Sequence, residues 1–339
     1  MSILWDAPLT AAVARELRDE LIGSRLRAVR MDRDSRDLVL HFRERTLVFR
    51  LHPLHGDVAL LDPREPGPGS IALKAHVREI QAPPDERLLM LQMQPPTGGA
   101  SPEGIVVELM TNQWNAIWLT VGNERIRRVL WQRELEDRTL AAGEIYRPPS
   151  PSDRRGIDEP LTEDEWLELL ETVEPRKRRG ALLRSVAFTS SVNASFLLGG
   201  ADPGGRFQDG SRGSDSTADG ATDVESSAES VSRDTEVLLR GYRLWRRIRA
   251  VSLELEPAEP QVLETEKRRE PYPLALPTVA SESAASLLDA FQQAAGEGPE
   301  DASARAALLP STRLDRLAQA VERARTKVDR LREELAETP

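Results

Sequence analysis

Apolar positions follow two regimes along the chain. Between residues 26 and 131 they come in short runs of strand length, at 26–31, 37–42, 46–51, 57–61, 88–93, 105–110, 115–119 and 125–131, separated by polar turns. Regular spacing of such runs predicts an antiparallel sandwich or barrel. The runs at 105–110 and 115–119, joined through Thr111, Asn112 and Gln113, read as a β-hairpin. Both are almost continuously apolar rather than alternating, so both faces of the hairpin should be covered. Within this region two segments read as helices. Residues 10–22 have Thr10 as N-cap, Val13, Leu17 and Leu21 on one face and Gly23 just past the end. Residues 71–79 read as a short helix carrying Lys74, His76 and Arg78.

From residue 142 the pattern changes. Prolines over 142–151 mark a boundary, and helical periodicity follows. Thr162 and Glu165 have capping-box spacing ahead of Trp166, Leu169, Leu170 and Val173. Arg176, Lys177, Arg178 and Arg179 precede a second helix at 180–186, and a third is expected at 189–198. The arrangement resembles a helix-hairpin-helix, and a plain helical subdomain explains it almost as well. Residues 201–232, rich in Gly, Ser, Asp and Thr, cannot bury enough apolar surface to offset their ordering entropy and are expected to be a disordered acidic linker. Residues 234–250 resume a helix with Leu238, Tyr242 and Trp245 on one face. A two-stranded ribbon within 261–276 and a short helix at 283–295 follow. At the end, Leu314, Leu317, Val321, Ala324, Val328, Leu331 and Leu335 form an a/d seam that needs a partner helix. The expected organisation is therefore a β-rich domain at 1–150, a helical module at 151–200, the linker at 201–232, an Arg-rich helix with ribbon and short helix at 233–300, and a coiled-coil arm at 310–337.

Composition narrows the function. The 339 residues contain no cysteine, which removes disulfides, zinc ribbons and thiol catalysis and suits a reducing compartment. No apolar run reaches membrane-spanning length and no signal peptide is visible, so a cytoplasmic protein is expected. A net charge of −10 argues against nucleic acid, but the acidity is segregated: residues 206–232 hold 6 acids against 2 bases, whereas residues 1–150 hold 21 against 20. Only Lys74, Lys177, Lys267 and Lys327 are lysines, so arginine, the better bidentate phosphate ligand, dominates the 46 basic positions. Genomic composition explains an arginine bias equally. Arg240, Arg243, Arg246, Arg247 and Arg249 form the most basic window, as either a phosphate-facing stripe or a solvated helix face.

No catalytic constellation is present: there is no G-x-S-x-G, no phosphate loop and no H-E-x-x-H. No cofactor is expected. His52 and His55 lack the companions a metal site needs. Asp85, Glu86 and Arg87, after Pro83 and Pro84, form a charged turn that by itself is a solvated loop.

Taken in order, several short motifs resemble the NFACT family, which includes the bacterial RqcH proteins and proteins once described as fibronectin-binding protein A. They are Glu16-Leu17 with Leu21-Ile22-Gly23 and Arg25-Leu26, the 85–87 turn, Val107-Glu108-Leu109-Met110 with Asn115-Ala116-Ile117-Trp118-Leu119, Gly143-Glu144-x-Tyr146-x-Pro148-Pro149, and Pro271-Tyr272-Pro273-Leu274. The resemblance implies a formamidopyrimidine-DNA-glycosylase-like β-sandwich domain, without the Pro-Glu start of those enzymes, followed by a helix-hairpin-helix module and a coiled coil. It implies a non-enzymatic factor that binds obstructed large ribosomal subunits and tRNA and promotes alanine tailing of stalled nascent chains. The family's Asp-Arg pair places tRNA contact at Asp85, Glu86 and Arg87. Further RNA contacts are expected at Lys74, Arg78, Asn112, Asn115, Arg176, Lys177, Arg178, Arg179, Arg243, Arg246 and Arg247. Three departures stand out: Thr111 and Asn112 replace a glycine and a basic residue at the hairpin turn, the chain is expected to end inside the first coiled-coil arm, without the return helix and C-terminal RNA-binding domain, and it carries the acidic insert expected to be disordered. The alternative is a protein-interaction or adhesion module that recruits a partner through its heptad helix.

Overall fold

The computed structural model describes residues 5–52, 56–96, 101–110, 114–200, 223–265 and 269–295, with only the backbone of 223–233. The heptad seam, the hairpin turn with Thr111 and Asn112, and the linker up to residue 222 lie outside the described residues.

The chain opens with α1 (Ala7–Leu21), then runs through β1 (Arg25–Asp32), β2 (Asp37–Phe42), β3 (Thr46–Arg50), β4 (Asp57–Leu61), β5 (Ile71–Gln81), β6 (Leu88–Gln94), β7 (Glu103–Glu108), β8 (Asn115–Thr120) and β9 (Arg125–Val129). These strands form one antiparallel sheet in the order β4-β3-β2-β1-β5-β6-β7-β8-β9. Two short strands, β10 (Arg133–Glu134) and β11 (Thr139–Leu140), pair beyond it. The helical part has α2 (Glu163–Glu171), α3 (Pro175–Ser185), α4 (Ala194–Leu197) and α5 (Asp223–Ser252). A second sheet of β12 (Gln261–Glu264), β13 (Arg269–Tyr272) and β14 (Ala280–Ser283) follows, then α6 (Leu287–Ala295). Residues up to Ala295 form one compact unit.

Helix α1 starts earlier than its periodicity suggests, because Asp6 rather than Thr10 is the N-cap and Pro8 stands in the first turn. At its other end Gly23 takes φ +79 and donates its N–H to Val77 O at 2.9 Å, the positive-φ exit that favours glycine.

The expected helix at 71–79 is the strand β5. Its Ala, Leu and Lys content favours helix, but Ile71, Leu73, Ala75 and Val77 alternate onto one face and the strand is hydrogen-bonded between β1 and β6. Pairing on both edges outweighs the weak helical preference of the segment. The charges misplaced by the helical reading, Lys74 and Arg78, are exposed strand residues.

Two cores account for the near-continuous apolar runs of β7 and β8. Ile105, Val107, Ala116 and Trp118 face the main core, which also receives Leu9, Val13, Leu17 and Leu21 of α1. Val106, Ile117 and Leu119 face the opposite side, where Ile126, Val129, Leu140 and Tyr146 cover them. The hairpin lies near one end of the sheet order yet is buried on both faces. Beneath the second layer, Glu108 is fully buried and accepts from Arg138 Nη1 at 2.5 Å and Tyr146 OH at 3.1 Å.

Among the helices, the capping box of Thr162 and Glu165 forms as expected. Helix α3 begins at Pro175, so the 176–179 basic run is its first turn rather than a lead-in. Helix α5 begins at Asp223, inside the segment expected to be disordered. Its Trp245 stacks on Trp166 at a ring separation of 5.7 Å, and its Tyr242 meets the same ring tilted, at 6.0 Å. A Cβ at Gly241 would stand 1.8 Å from Leu197 O, so only glycine permits α5 to approach α4 this closely. The expected two-stranded ribbon has a third strand, β14, and α6 leaves that sheet to put Leu287, Leu288 and Phe291 into the main core, with Phe291 5.1 Å from the Trp5 ring.

Candidate functional site

The β5–β6 turn, the start of α1 and the loops at 152–154 and 189–191 meet around a cavity of about 360 Å³. The sequence pattern Pro83-Pro84-Asp85 makes the turn, and Asp85 closes it at φ +60, a left-handed conformation that Asp tolerates better than most residues. Asp85 is buried and accepts four hydrogen bonds: from Ser152 Oγ at 2.5 Å, Arg154 Nε at 2.8 Å, Arg154 Nη2, and the Phe188 backbone N–H at 2.7 Å. Phe188 is itself left-handed, at φ +62. Two unusual backbone turns, 103 residues apart, are thus pinned to one carboxylate. Arg154 extends the clamp by donating to Thr189 O at 2.9 Å.

Asp6 forms a second clamp on the same cavity. It is buried, caps α1 through the Leu9 N–H at 3.0 Å, and accepts from Ser190 Oγ at 2.8 Å and Tyr272 OH at 3.1 Å. Burial pushes its carboxyl up to about 6, with those three hydrogen bonds pulling the other way. Glu86 accepts the Ser152 N–H at 2.7 Å; partial burial raises its carboxyl, and Asp85 beside it adds to the rise. Arg87 is half-buried on the cavity wall. Burial lowers its guanidinium from the ordinary range, while Asp6 and Glu86 favour the charged form.

The cavity therefore brings three carboxylates, two guanidiniums and the hydroxyl residues Ser152, Thr189, Ser190 and Ser191 together. With more acid than base around it, it is poorly suited to bare phosphate. It suits a neutral polar ligand with both donors and acceptors, such as a nucleobase edge or a ribose hydroxyl.

The other expected contacts are dispersed. Asn115 is fully buried, and its side chain clamps the Trp131 backbone through both its N–H and its C=O, at 3.0 and 2.9 Å. Arg178 is buried, donating to Leu170 O at 2.8 Å and to Asp234. Arg249 is buried too, donating to Gly156 O, Ile157 O and Asp158 O, so the basic stripe of α5 is partly an internal brace. Arg176, Lys177, Arg243 and Arg246 are exposed, Arg179 is half-exposed, and Arg247 pairs with Glu259 at 2.5 Å. Sequence reasoning missed Asp6, Ser152, Arg154 and Ser190. Asp6 carried a local signal as an N-cap residue two positions before Pro8, and Ser190 one as a cap candidate for the 189–198 helix, but neither signal points to a site.

The family model for NFACT N-terminal and middle domains matches residues 6–339. The chain belongs to the NFACT family. No curated protein matches it. In fold it is similar to the N-terminal part of the fibronectin/fibrinogen-binding protein from Streptococcus suis, at 16% identity and a TM-score of 0.56 over 86% of this chain and 98% of that one. It is also similar to the fibrinogen binding protein from Staphylococcus aureus, at 15% identity and a TM-score of 0.57 over 85% of this chain and 97% of that one. As an NFACT protein the chain shares with these structures a mixed α and β architecture built on a large antiparallel sheet.

Proposed function

We propose that this NFACT protein is a non-enzymatic RNA-binding factor of ribosome-associated quality control. In this reading it binds obstructed large ribosomal subunits and tRNA in the cytoplasm and takes part in alanine tailing of stalled nascent chains. The observation that carries the reading is the cavity at Asp85, Glu86 and Arg87. In a family tied to this process, the turn that resembles its tRNA-contact motif lines a donor- and acceptor-rich notch rather than an ordinary solvated loop. Asp85 holds the turn in place, and Glu86 and Arg87 present the polar edge to a tRNA base or ribose. We also read the first sheet as the glycosylase-like domain, α2 to α4 as the helix-hairpin-helix-like module, and the 310–337 segment as a coiled-coil arm that meets a partner helix through Leu314, Leu317, Val321, Val328, Leu331 and Leu335.

A second reading comes from the solved relatives, whose names describe fibronectin or fibrinogen binding. In it the chain is an adhesion module. Two assays separate the readings: co-sedimentation with purified large ribosomal subunits carrying peptidyl-tRNA, and binding to immobilised fibronectin. The ribosomal reading predicts retention in the subunit pellet. Absence from the pellet, with saturable fibronectin binding, would overturn it.

A further inference from the structure

The outer face of the main sheet changes character from one side to the other. Over β6 to β9 it is apolar and covered, with Leu88 and Val106 under the second core. Moving across β6, cross-strand partners stay on one face, and that face turns from Leu88 and Met90 to Gln92 and Gln94, which pair with Glu79 and His76 on β5. On β1 and β5 no apolar layer is left. Arg25, Arg27, Arg43 and Lys74 are all exposed there and converge on an open basin of about 550 Å³.

A β-bulge builds the basin. The register of β1 shifts between Leu26 and Ala28 against both β2 and β5. Leu26 and Val29 both reach the main core, so the two residues between them, Arg27 and Ala28, fall on the outer side together. Ala28 and Ala72 keep the floor low, and the loop through Gly67 and Ser70 makes the far wall. Arg43 is brought to Arg25 by its backbone N–H, which donates to Arg25 O at 3.0 Å. Among the described residues, no acidic side chain lines the basin. At its rim Glu65, on the loop, pairs with Arg27 at 2.9 Å and is 82% exposed. A pair this exposed contributes little to stability and yields readily to a competing anion.

We infer that this basin binds the sugar-phosphate backbone of RNA, as a contact separate from the notch at Arg87. Four cations against one exposed rim carboxylate, on a shallow floor open along the strands, match a chain of phosphates. Arginine forks at three of the four positions favour bidentate phosphate contact. Lys74 and Gln81 are seven residues apart on β5, about 23 Å at strand rise, and Gln81 leads directly into the 82–87 turn. A folded RNA is long enough to reach both sites. The choice of RNA among polyanions rests on the quality-control reading above; the basin itself does not.

The test uses the full chain, with a fluorescein-labelled RNA hairpin of about 20 nucleotides as probe and affinity followed against salt. The variant R27A/R43A/K74A should bind about tenfold more weakly, and the slope of log affinity against log salt should fall by roughly 2, at about 0.7 per lost phosphate contact. Its melting temperature should match the parent's, since all three side chains are exposed. Unchanged affinity and slope would overturn the inference. So would tighter basin-dependent binding to phosphatidylglycerol vesicles than to the hairpin, which would assign the basin to a membrane surface. The variant R87A keeps the salt slope if the basin acts separately. Loss in R27A/R43A/K74A with none in R87A leaves the basin standing and removes the notch; the reverse pattern removes the basin.

Discussion

The notch and the basin are both dense in charge, and they differ in whether each charge already has a protein partner. At the notch Asp85 is buried with four donors around it and Asp6 with three, so most of the charge holds the polypeptide together. In the basin four cations stand in water, with Glu65 as a loosely held rim partner. The first arrangement gives a rigid polar edge fit to discriminate among ligands. The second gives attraction with little geometry. Nucleic-acid binding uses both, with phosphate contacts setting affinity and register and polar edges reading identity. Burial and pairing, rather than residue type, separate the two roles.

The strongest way to break this comparison is to remove a clamp. Asp85→Ala leaves Arg154 and the Phe188 N–H without their buried acceptor and should cost roughly 3–5 kcal/mol of stability in urea denaturation. A cost under about 1 kcal/mol would mean Asp85 is not structural.

A pH titration sharpens it next. Asp6 has its carboxyl raised from 3.8 to about 6 in the folded protein, so the folded state holds that proton more tightly than the unfolded chain. Between about pH 4 and pH 6 the unfolded state loses its proton first, and stability falls as pH rises, by up to roughly 3 kcal/mol from this group. Asp37, likewise raised to about 6 by burial, adds a fall of the same sign. Asp6→Asn should therefore flatten the decline without abolishing it. An unaltered pH profile in Asp6→Asn would contradict the buried position of the carboxylate.

The smallest effect is expected in the basin. Arg27→Ala removes only an exposed pair with Glu65 and should leave the urea denaturation midpoint unchanged within experimental error. A measurable loss would show the basin to be a latch of the same kind as the notch.

These differences explain what the sequence could reveal. Strands β1 to β4 and β6 to β9 were legible because strand-length apolar runs between polar turns are local signals. β5 was not, because Ala72, Leu73, Lys74 and Ala75 favour helix until two neighbouring strands claim the segment. The notch was half legible. The 85–87 turn carried a family resemblance, but the groups that hold it come from residues 152, 154 and 188, and Asp6 finds Ser190 and Tyr272 at separations of 184 and 266 residues. No window of sequence contains such contacts. Among the arginines, Arg178 and Arg249 looked like their exposed neighbours, and only packing shows that they brace backbone carbonyls.

The most direct test of the central claim is the affinity of the full chain for deacylated tRNA, compared between the parent and Arg87→Ala by fluorescence anisotropy at fixed salt. The account predicts that the parent binds and that the variant, compared at equal concentrations of folded protein, loses about tenfold, roughly the 1.4 kcal/mol expected of one charge-assisted polar contact. Equal affinity in the two proteins, or no tRNA binding by the parent, would contradict it.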